Sequence, residues 1–238
     1  MLLYYVRHAQ SNNNALYNET GSYSGRSADA PLSATGKKQL PYLATFIQKE
    51  LQEVQTEGNG SQRNVPVTLY CSLMERTVAT ASAITETCQL PLYGYRDIHE
   101  VGGVYVKNDE TDERIGMPGH DKQFFTEHYP LLHYPQGVDE NGWWNRPHET
   151  REERPARARR VLEDILTCHS NPDEVVILVS HGEFFNHFIN ALLDMPPNSA
   201  VWFEMMNAAV SLFDFQPDLI QIPYINRHHF IPSELITG

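Results

Sequence analysis

The sequence predicts an α/β domain built on a mostly parallel sheet flanked by helices, and three observations carry that reading. Short β-branched and aromatic runs alternate with stretches of helical period, as strand–helix–strand units require. The strongest run, Glu174 to Ser180, is apolar through its interior, which suits a strand covered on both faces. The segments between the main runs are long enough for crossover helices, whose right-handed geometry makes the joined strands parallel.

In chain order, Leu2 to Val6 reads as a buried strand. Residues 9–32 are polar and turn-rich. Ser33 to Gly36 opens a helix with Leu40, Leu43, Ala44, Ile47 and Leu51 on one stripe. Residues 52–64, with Gly58-Asn59-Gly60-Ser61, read as an exposed connection. Val65 to Cys71 is a second strand, after which Ser72 is placed to cap a helix striped by Met74, Val78, Ala81 and Ile84. Leu90 to Tyr95 reads as a short strand. Residues 97–148 lose all period and suggest an irregular insertion or lid. Thr150 and Glu153 have capping-box spacing ahead of Pro155, and the helix continues through Val161, Ile165 and Leu166. After Ser180 an apolar helix runs to about Leu193, and residues 200–225 read as two or three strands. Residues 1–238 are thus expected to form one domain, with the insertion at about 97–148.

Composition narrows the function. A hydrophobic fraction of 41% and a charged fraction of 20% are ordinary for a soluble enzyme. A net charge of −12 argues against nucleic-acid or anionic-membrane partners. Arg154, Arg157, Arg159 and Arg160 alternate with Glu152, Glu153, Glu163 and Asp164, the pattern of a solvated helix face. No apolar run approaches the roughly 20 residues of a membrane helix, and Met1 leads into a strand rather than a secretory signal. Cys71, Cys88 and Cys168 are few and widely spaced, which fits a reducing, cytoplasmic setting. The histidines show no metal-ligand spacing, so neither a metal nor a cofactor is expected.

Three polar clusters fall at the carboxyl ends of the main strands: Arg7-His8, Ser72 to Arg76, and Ser180-His181-Gly182. Strand ends of this kind are where open α/β sheets place ligands. Two arginines and two histidines that converge there suit a phosphomonoester, which carries close to two negative charges near neutral pH. Guanidinium forks bind such oxygens in bidentate fashion. The same cations bias a neighbouring imidazole toward its neutral, nucleophilic form.

These residues resemble the histidine phosphatase superfamily, the phosphoglycerate mutase-like proteins. Arg7-His8-Ala9-Gln10-Ser11 with Asn14 is similar to the family's first signature, and Asp29-Ala30-Pro31-Leu32-Ser33 with Gly36 and Gln39 to its next segment. Ser72 to Arg76 with Thr80-Ala81 resembles its second arginine motif, Val179 to Gly182 its second histidine motif, and Asn207 to Ser211 its closing strand. The resemblance implies a three-layer α/β/α sandwich and a covalent phosphohistidine on His8. Arg7, Arg76 and His181 would complete the phosphate pocket, with Ser11, Asn14 and Gly182 as further binding positions. Glu100 is the best match for the general acid, ahead of Asp97, Asp109 and Glu110. Arg26 and Arg146 are further candidate anion contacts. Ala9 stands where the family usually has Gly, and Gln10 where it usually has Glu, which removes a charge beside the phosphate.

The activity this implies is cofactor-independent hydrolysis of a small phosphomonoester. The alternatives are a phosphoglycerate mutase and an inactive phospho-ligand-binding module. Residues 101–148 hold only Arg114 and Arg146, where mutases carry an arginine-rich substrate segment, so hydrolysis is favoured. Phe124-Phe125, His128-Tyr129, His133-Tyr134 and Trp143-Trp144 are by default the core of the insertion; the sharper expectation is that some of them roof the pocket. The family includes monomers, dimers and tetramers, so an oligomer is compatible with the resemblance.

Overall fold

Alternation along the strands builds the layers. Within the first strand, β1 (Leu2–Arg7), Tyr4 and Val6 join one apolar cluster while Leu3 and Tyr5 join another on the opposite face. The computed structural model describes residues 1–56, 61, 63–108, 110–196 and 199–238. Seven strands form the main sheet in the order β6-β3-β2-β7-β1-β8-β9. Here β2 is Val67–Cys71, β3 Leu92–Gly94, β6 Leu132–His133, β7 Val175–Ser180, β8 Val210–Gln216 and β9 Leu219–Arg227. The pairs from β6 to β1 are all parallel, and β8 runs antiparallel to both β1 and β9.

Helices cover both faces. On one side lie α2 (Ala34–Gln55), through Leu43, Ile47 and Leu51, and α3 (Glu75–Cys88), through Val78, Ala81 and Ile84. On the other lie α5 (Glu153–Cys168), through Val161, Leu162 and Ile165, and α6 (Gly182–Leu192), through Phe184, Phe185, Phe188 and Ile189. The central strand β7 is buried at all six positions, which accounts for its unbroken apolar run. Each such side chain contributes roughly 1.5–3 kcal/mol by leaving water.

Several expectations are corrected. Residues 9–32 contain a helix, α1 (Asn12–Thr20), which buries none of its residues and so shows no apolar period. It is held instead by a reciprocal cap between Ser11 and Asn14. The exposed connection expected over 52–64 begins later, because α2 continues to Gln55; residues 57–60 and 62 lie outside the described residues. Residues 97–148 include a hairpin of β4 (Tyr105–Lys107) and β5 (Arg114–Gly116), a helix α4 (Lys122–His128), and the edge strand β6. These pieces are two to seven residues long, too short to show a period. Arg157 is not on a solvated face. It is 3% exposed, pairs with Glu149 at 2.5 and 2.9 Å, and donates to the carbonyls of Asp97 and His99.

Candidate active site

Strand register brings the polar clusters together. Arg7 is level with Ser180 across β1 and β7, and Cys71 is level with Val179 across β2 and β7. The residue that follows each strand therefore emerges at the same edge. His8 N donates to Ser180 O at 3.0 Å, and Ser72 N donates to Val179 O at 3.1 Å. The His8 and His181 ring centres are 5.2 Å apart.

Arg76 lies between these rings. Its Nε donates to His8 Nε2 at 3.1 Å and its Nη2 to His181 Nδ1 at 3.2 Å. A guanidinium only donates, so both of those ring nitrogens are unprotonated acceptors. The His8 proton is then on Nδ1, which donates to Ala9 O at 2.7 Å, and the His181 proton is on Nε2, which donates to Ser72 Oγ at 3.0 Å. Burial, followed by the charges of Arg76 and Arg7, holds His8 well below the ordinary imidazole range. Burial and Arg76 do the same for His181. Both rings are neutral at physiological pH.

Behind Arg76 lies Asp29, 3.7 Å from its Nη1, with both side chains under a tenth exposed. Burial pushes the Asp29 carboxyl up to about 6, opposed by Arg76, so the two form a charge pair at neutral pH. Arg7 donates from Nη1 to the Met205 carbonyl, while its buried Nε has no partner among the described residues. A methyl group on Gly182 would sit 3.3 Å from that Nε, so glycine keeps the approach to Arg7 open.

The remaining expected residues fall into place unequally. Asn14 lines the cavity, and its Oδ1 accepts from Ser11 N and Ser11 Oγ, at 3.1 and 2.8 Å, and from Asn207 Nδ2 at 3.4 Å. That leaves Nδ2 as the end available to a ligand. Ser11 also lines the cavity, but its hydroxyl is committed to the α1 cap and acts through Asn14. Arg26 lines the cavity and donates from Nη1 to the Tyr105 hydroxyl at 2.7 Å. Arg146 lies elsewhere, stacked 3.9 Å from the Trp144 ring and bonded to His99. Ala9 keeps a negative φ, so its methyl group costs no strain. Gln10 does not face the cavity; its Oε1 accepts from Ser33 Oγ at 2.6 Å, so the change from Glu removes no charge from the lining. Ser72 does not cap α3, whose N-cap is Met74 without a side-chain bond; it is the partner of His181 instead. Asn207 precedes β8 rather than lying in it, and its Nδ2 reaches the His8 carbonyl at 3.4 Å.

Glu100 lines the cavity, and its carboxylate is anchored at the start of α6. Oε1 accepts from Val101 N at 3.0 Å and Phe184 N at 2.9 Å, and Oε2 accepts from Glu183 N at 3.4 Å. An acidic group there complements the helix dipole. Glu183, which was not among the expected residues, lines the same cavity, where surrounding protein and the Glu100 charge push its carboxyl up to about 7. Its place directly after His181-Gly182 was the available signal. Asp97 faces a different cavity and pairs with Arg146 at 3.9 Å, Glu110 is exposed, and Asp109 lies outside the described residues. None of the aromatic residues from Phe124 to Trp144 lines this cavity, and Phe125, Trp143 and Trp144 are core residues.

A mostly parallel sheet flanked by helices, with two neutral histidines and two arginines gathered at its carboxyl edge, defines an α/β protein with a cationic pocket. The model of the histidine phosphatase superfamily (branch 1) matches residues 3–228, and the chain belongs to that family. A comparison with curated protein sequences finds no match. Similar solved structures include an Entamoeba histolytica phosphoserine phosphatase mutant in complex with phosphoserine, at 17% identity and TM-score 0.56, covering 94% of this chain and 96% of the other. They also include a mycobacterial glucosyl-3-phosphoglycerate phosphatase complexed with VO3, at 20% identity and TM-score 0.59, covering 95% and 99%. Bacillus stearothermophilus YhfR is similar at 18% identity and TM-score 0.58, covering 97% and 99%.

Proposed function

We propose that the chain hydrolyses small phosphomonoesters through a phosphohistidine on His8. The observation that carries this is the guanidinium of Arg76 set between two neutral imidazoles, with the Nε2 lone pair of His8 directed at it. A dianionic phosphate entering here takes over the Arg76 donors and meets the unpartnered Nε of Arg7. His8 Nε2 then lies in line with the phosphorus. Its lone pair forms the N–P bond as the P–O bond to the leaving group breaks. The developing positive charge on His8 is shared with the Ala9 carbonyl through Nδ1–H. In the second half a water oxygen attacks phosphorus, the N–P bond breaks, and His8 is restored.

The leaving oxygen needs a proton, and the Glu100–Glu183 carboxyl pair is placed to supply it. Glu183 holds that proton near neutral pH. The same carboxylate takes a proton from the attacking water. Positive charge from Arg7 and Arg76 is the electrostatic element, so turnover requires no added metal. The mutase reading gains no support from residues 101–148, because neither Arg114 nor Arg146 lines the cavity. The similar structures name phosphoserine and glucosyl-3-phosphoglycerate, both of them phosphomonoesters.

The test is incubation with a panel of phosphomonoesters, including 3-phosphoglycerate, in the presence of chelator. Acid-quenched samples are assayed for an acid-labile, alkali-stable phosphoryl adduct. Free phosphate, an adduct on the intact protein, and loss of both in His8→Ala by a factor on the order of 10³ or more are the expected results. Isomerised 3-phosphoglycerate with little free phosphate would sink the hydrolase reading, and activity abolished by chelator would sink the metal-independent mechanism.

A further inference from the structure

The phosphate pocket occupies only the inner end of a cavity of about 700 Å³. That volume is in the range that holds drug-sized ligands, far beyond a phosphate with a three-carbon chain. The outer walls include Tyr17, Tyr23 and Trp202. These side chains are 45%, 48% and 61% exposed. Single exposed rings need no explanation, but three lining one catalytic cavity form an apolar surface left open to a ligand. Tyr17 and Tyr23 are already stacked, with ring centres 4.5 Å apart and planes 19° from parallel. Tyr23 lines the same cavity as Arg7 and Arg76, so the aromatic wall adjoins the phosphate pocket.

Charge selects further. Beyond Arg7 and Arg76, the cavity lining includes the carboxylates of Glu100 and Glu204 and the carboxyl of Glu183 against a single further guanidinium, Arg26. Arg26 is engaged with Tyr105, by the hydrogen bond from Nη1 and by lying 4.3 Å from the ring centre. A leaving group that carries its own carboxylate meets net repulsion there. A flat, uncharged ring meets stacking partners and no opposing charge.

We propose that the outer half of the cavity is a subsite for an uncharged aromatic leaving group, and that Tyr17, Tyr23 and Trp202 make the chain selective for aromatic over carboxylated phosphomonoesters. This rests on the phosphatase reading of the inner pocket, but binding tests it without turnover. Benzylphosphonate, ethylphosphonate and phosphonoacetate share the phosphonate head and differ only in the tail, so titration calorimetry on the intact chain isolates the subsite. Benzylphosphonate is expected to bind at least about 10-fold tighter than the other two, since each ring contact is worth roughly 2- to 10-fold. In Trp202→Ala and Tyr17→Ala, both at exposed positions, the benzyl-to-ethyl ratio should fall several-fold. Equal affinities, tighter phosphonoacetate, or an unchanged ratio in both variants overturns the subsite.

Turnover separates the two readings. Benzyl and ethyl phosphate have alcohol leaving groups of similar reactivity, so their relative kcat/KM reports binding of the ring rather than activation of the bond. Tight benzylphosphonate with no hydrolysis of benzyl phosphate removes the phosphatase reading and retains the subsite. Hydrolysis of both esters at equal kcat/KM does the reverse.

Discussion

Replacing Gly36 with alanine tests how tightly the loop that carries His8 is held. Gly36 lies in the first turn of α2 with its N–H on Ser33 Oγ at 3.0 Å. A Cβ there would be 2.0 Å from the Gln10 carbonyl oxygen and 3.0 Å from its carbon. Side-chain carbons do not approach closer than 3.0 Å, so helix and loop must separate by about 1 Å. The Gln10 carbonyl also accepts from Ser33 N at 2.9 Å, and Gln10 N donates to Gln39 Oε1 at 2.8 Å, so the loop has little freedom to yield. Alanine improves helix propensity by up to about 1 kcal/mol, against an overpacking cost of roughly 1–3 kcal/mol. The net loss is about 0–2 kcal/mol, or a Tm lower by no more than about 8 °C in a chain of this size. Activity should fall further than stability. Gln10 is two residues from His8, and a misplacement of about 1 Å costs roughly 100-fold in rate. The assay is kcat/KM on benzyl phosphate beside a thermal melt of the same protein. A Gly36→Ala protein with full kcat/KM and an unchanged Tm would refute the rigid coupling of α2 to the His8 loop.

Two further outcomes are expected. Glu183 is raised to about 7, and on the proposed mechanism it must be protonated to serve the leaving group, so kcat/KM should fall as pH rises through about 7. His8 is depressed well below its ordinary value, so the acidic limb should lie well under pH 6.5. Glu183→Gln should abolish the alkaline limb and slow alkyl esters far more than nitrophenyl esters; an unmoved limb would assign the proton to another group. Glu149→Ala strands the buried Arg157 charge, at a cost of about 3–5 kcal/mol, read as a lower midpoint in urea. A midpoint unchanged within error would show that Arg157 finds water when its partner is removed.

The central four residues were legible because strand order and register are simple consequences of an apolar pattern. Arg7 ends β1, His8 and His181 follow β1 and β7, and Arg76 lies in the first turn of α3 just past β2; the burial of those strands is written in their side chains, and parallel crossovers align their ends. What resisted reading is polar or short. Helix α1 has no apolar face, yet it carries Asn14 to the cavity. Arg157 sits among charged residues that do face solvent, and only its pairing with Glu149 reveals that it is buried. Asp29 stood in a recognisable segment, but its contact with Arg76 joins positions 47 apart through a turn with no period. The aromatic pairs between Phe124 and Trp144 lie away from the cavity, whereas Tyr17, Tyr23 and Trp202 line it from α1, the turn after it and the coil before β8, and Tyr105 lines it from the three-residue β4. Those segments lack strand or helix pattern, so nothing in the sequence distinguished a ring facing a cavity from a ring facing water.

The hydrogen bond from Arg76 to His8 has a consequence for the resting protein. A lone pair that already accepts from a proton-bearing nitrogen is shielded from other electrophiles, so on the proposed mechanism the nucleophile carries its own guard. Only a group that outcompetes a neutral imidazole for the guanidinium can lift that guard, and a phosphate dianion does so by charge. Acylating and alkylating agents without a negative charge have no such means, although they are chemically able to attack an imidazole. The contact that occupies Arg76 between turnovers therefore makes the reactivity of His8 conditional on the anion it is meant to receive.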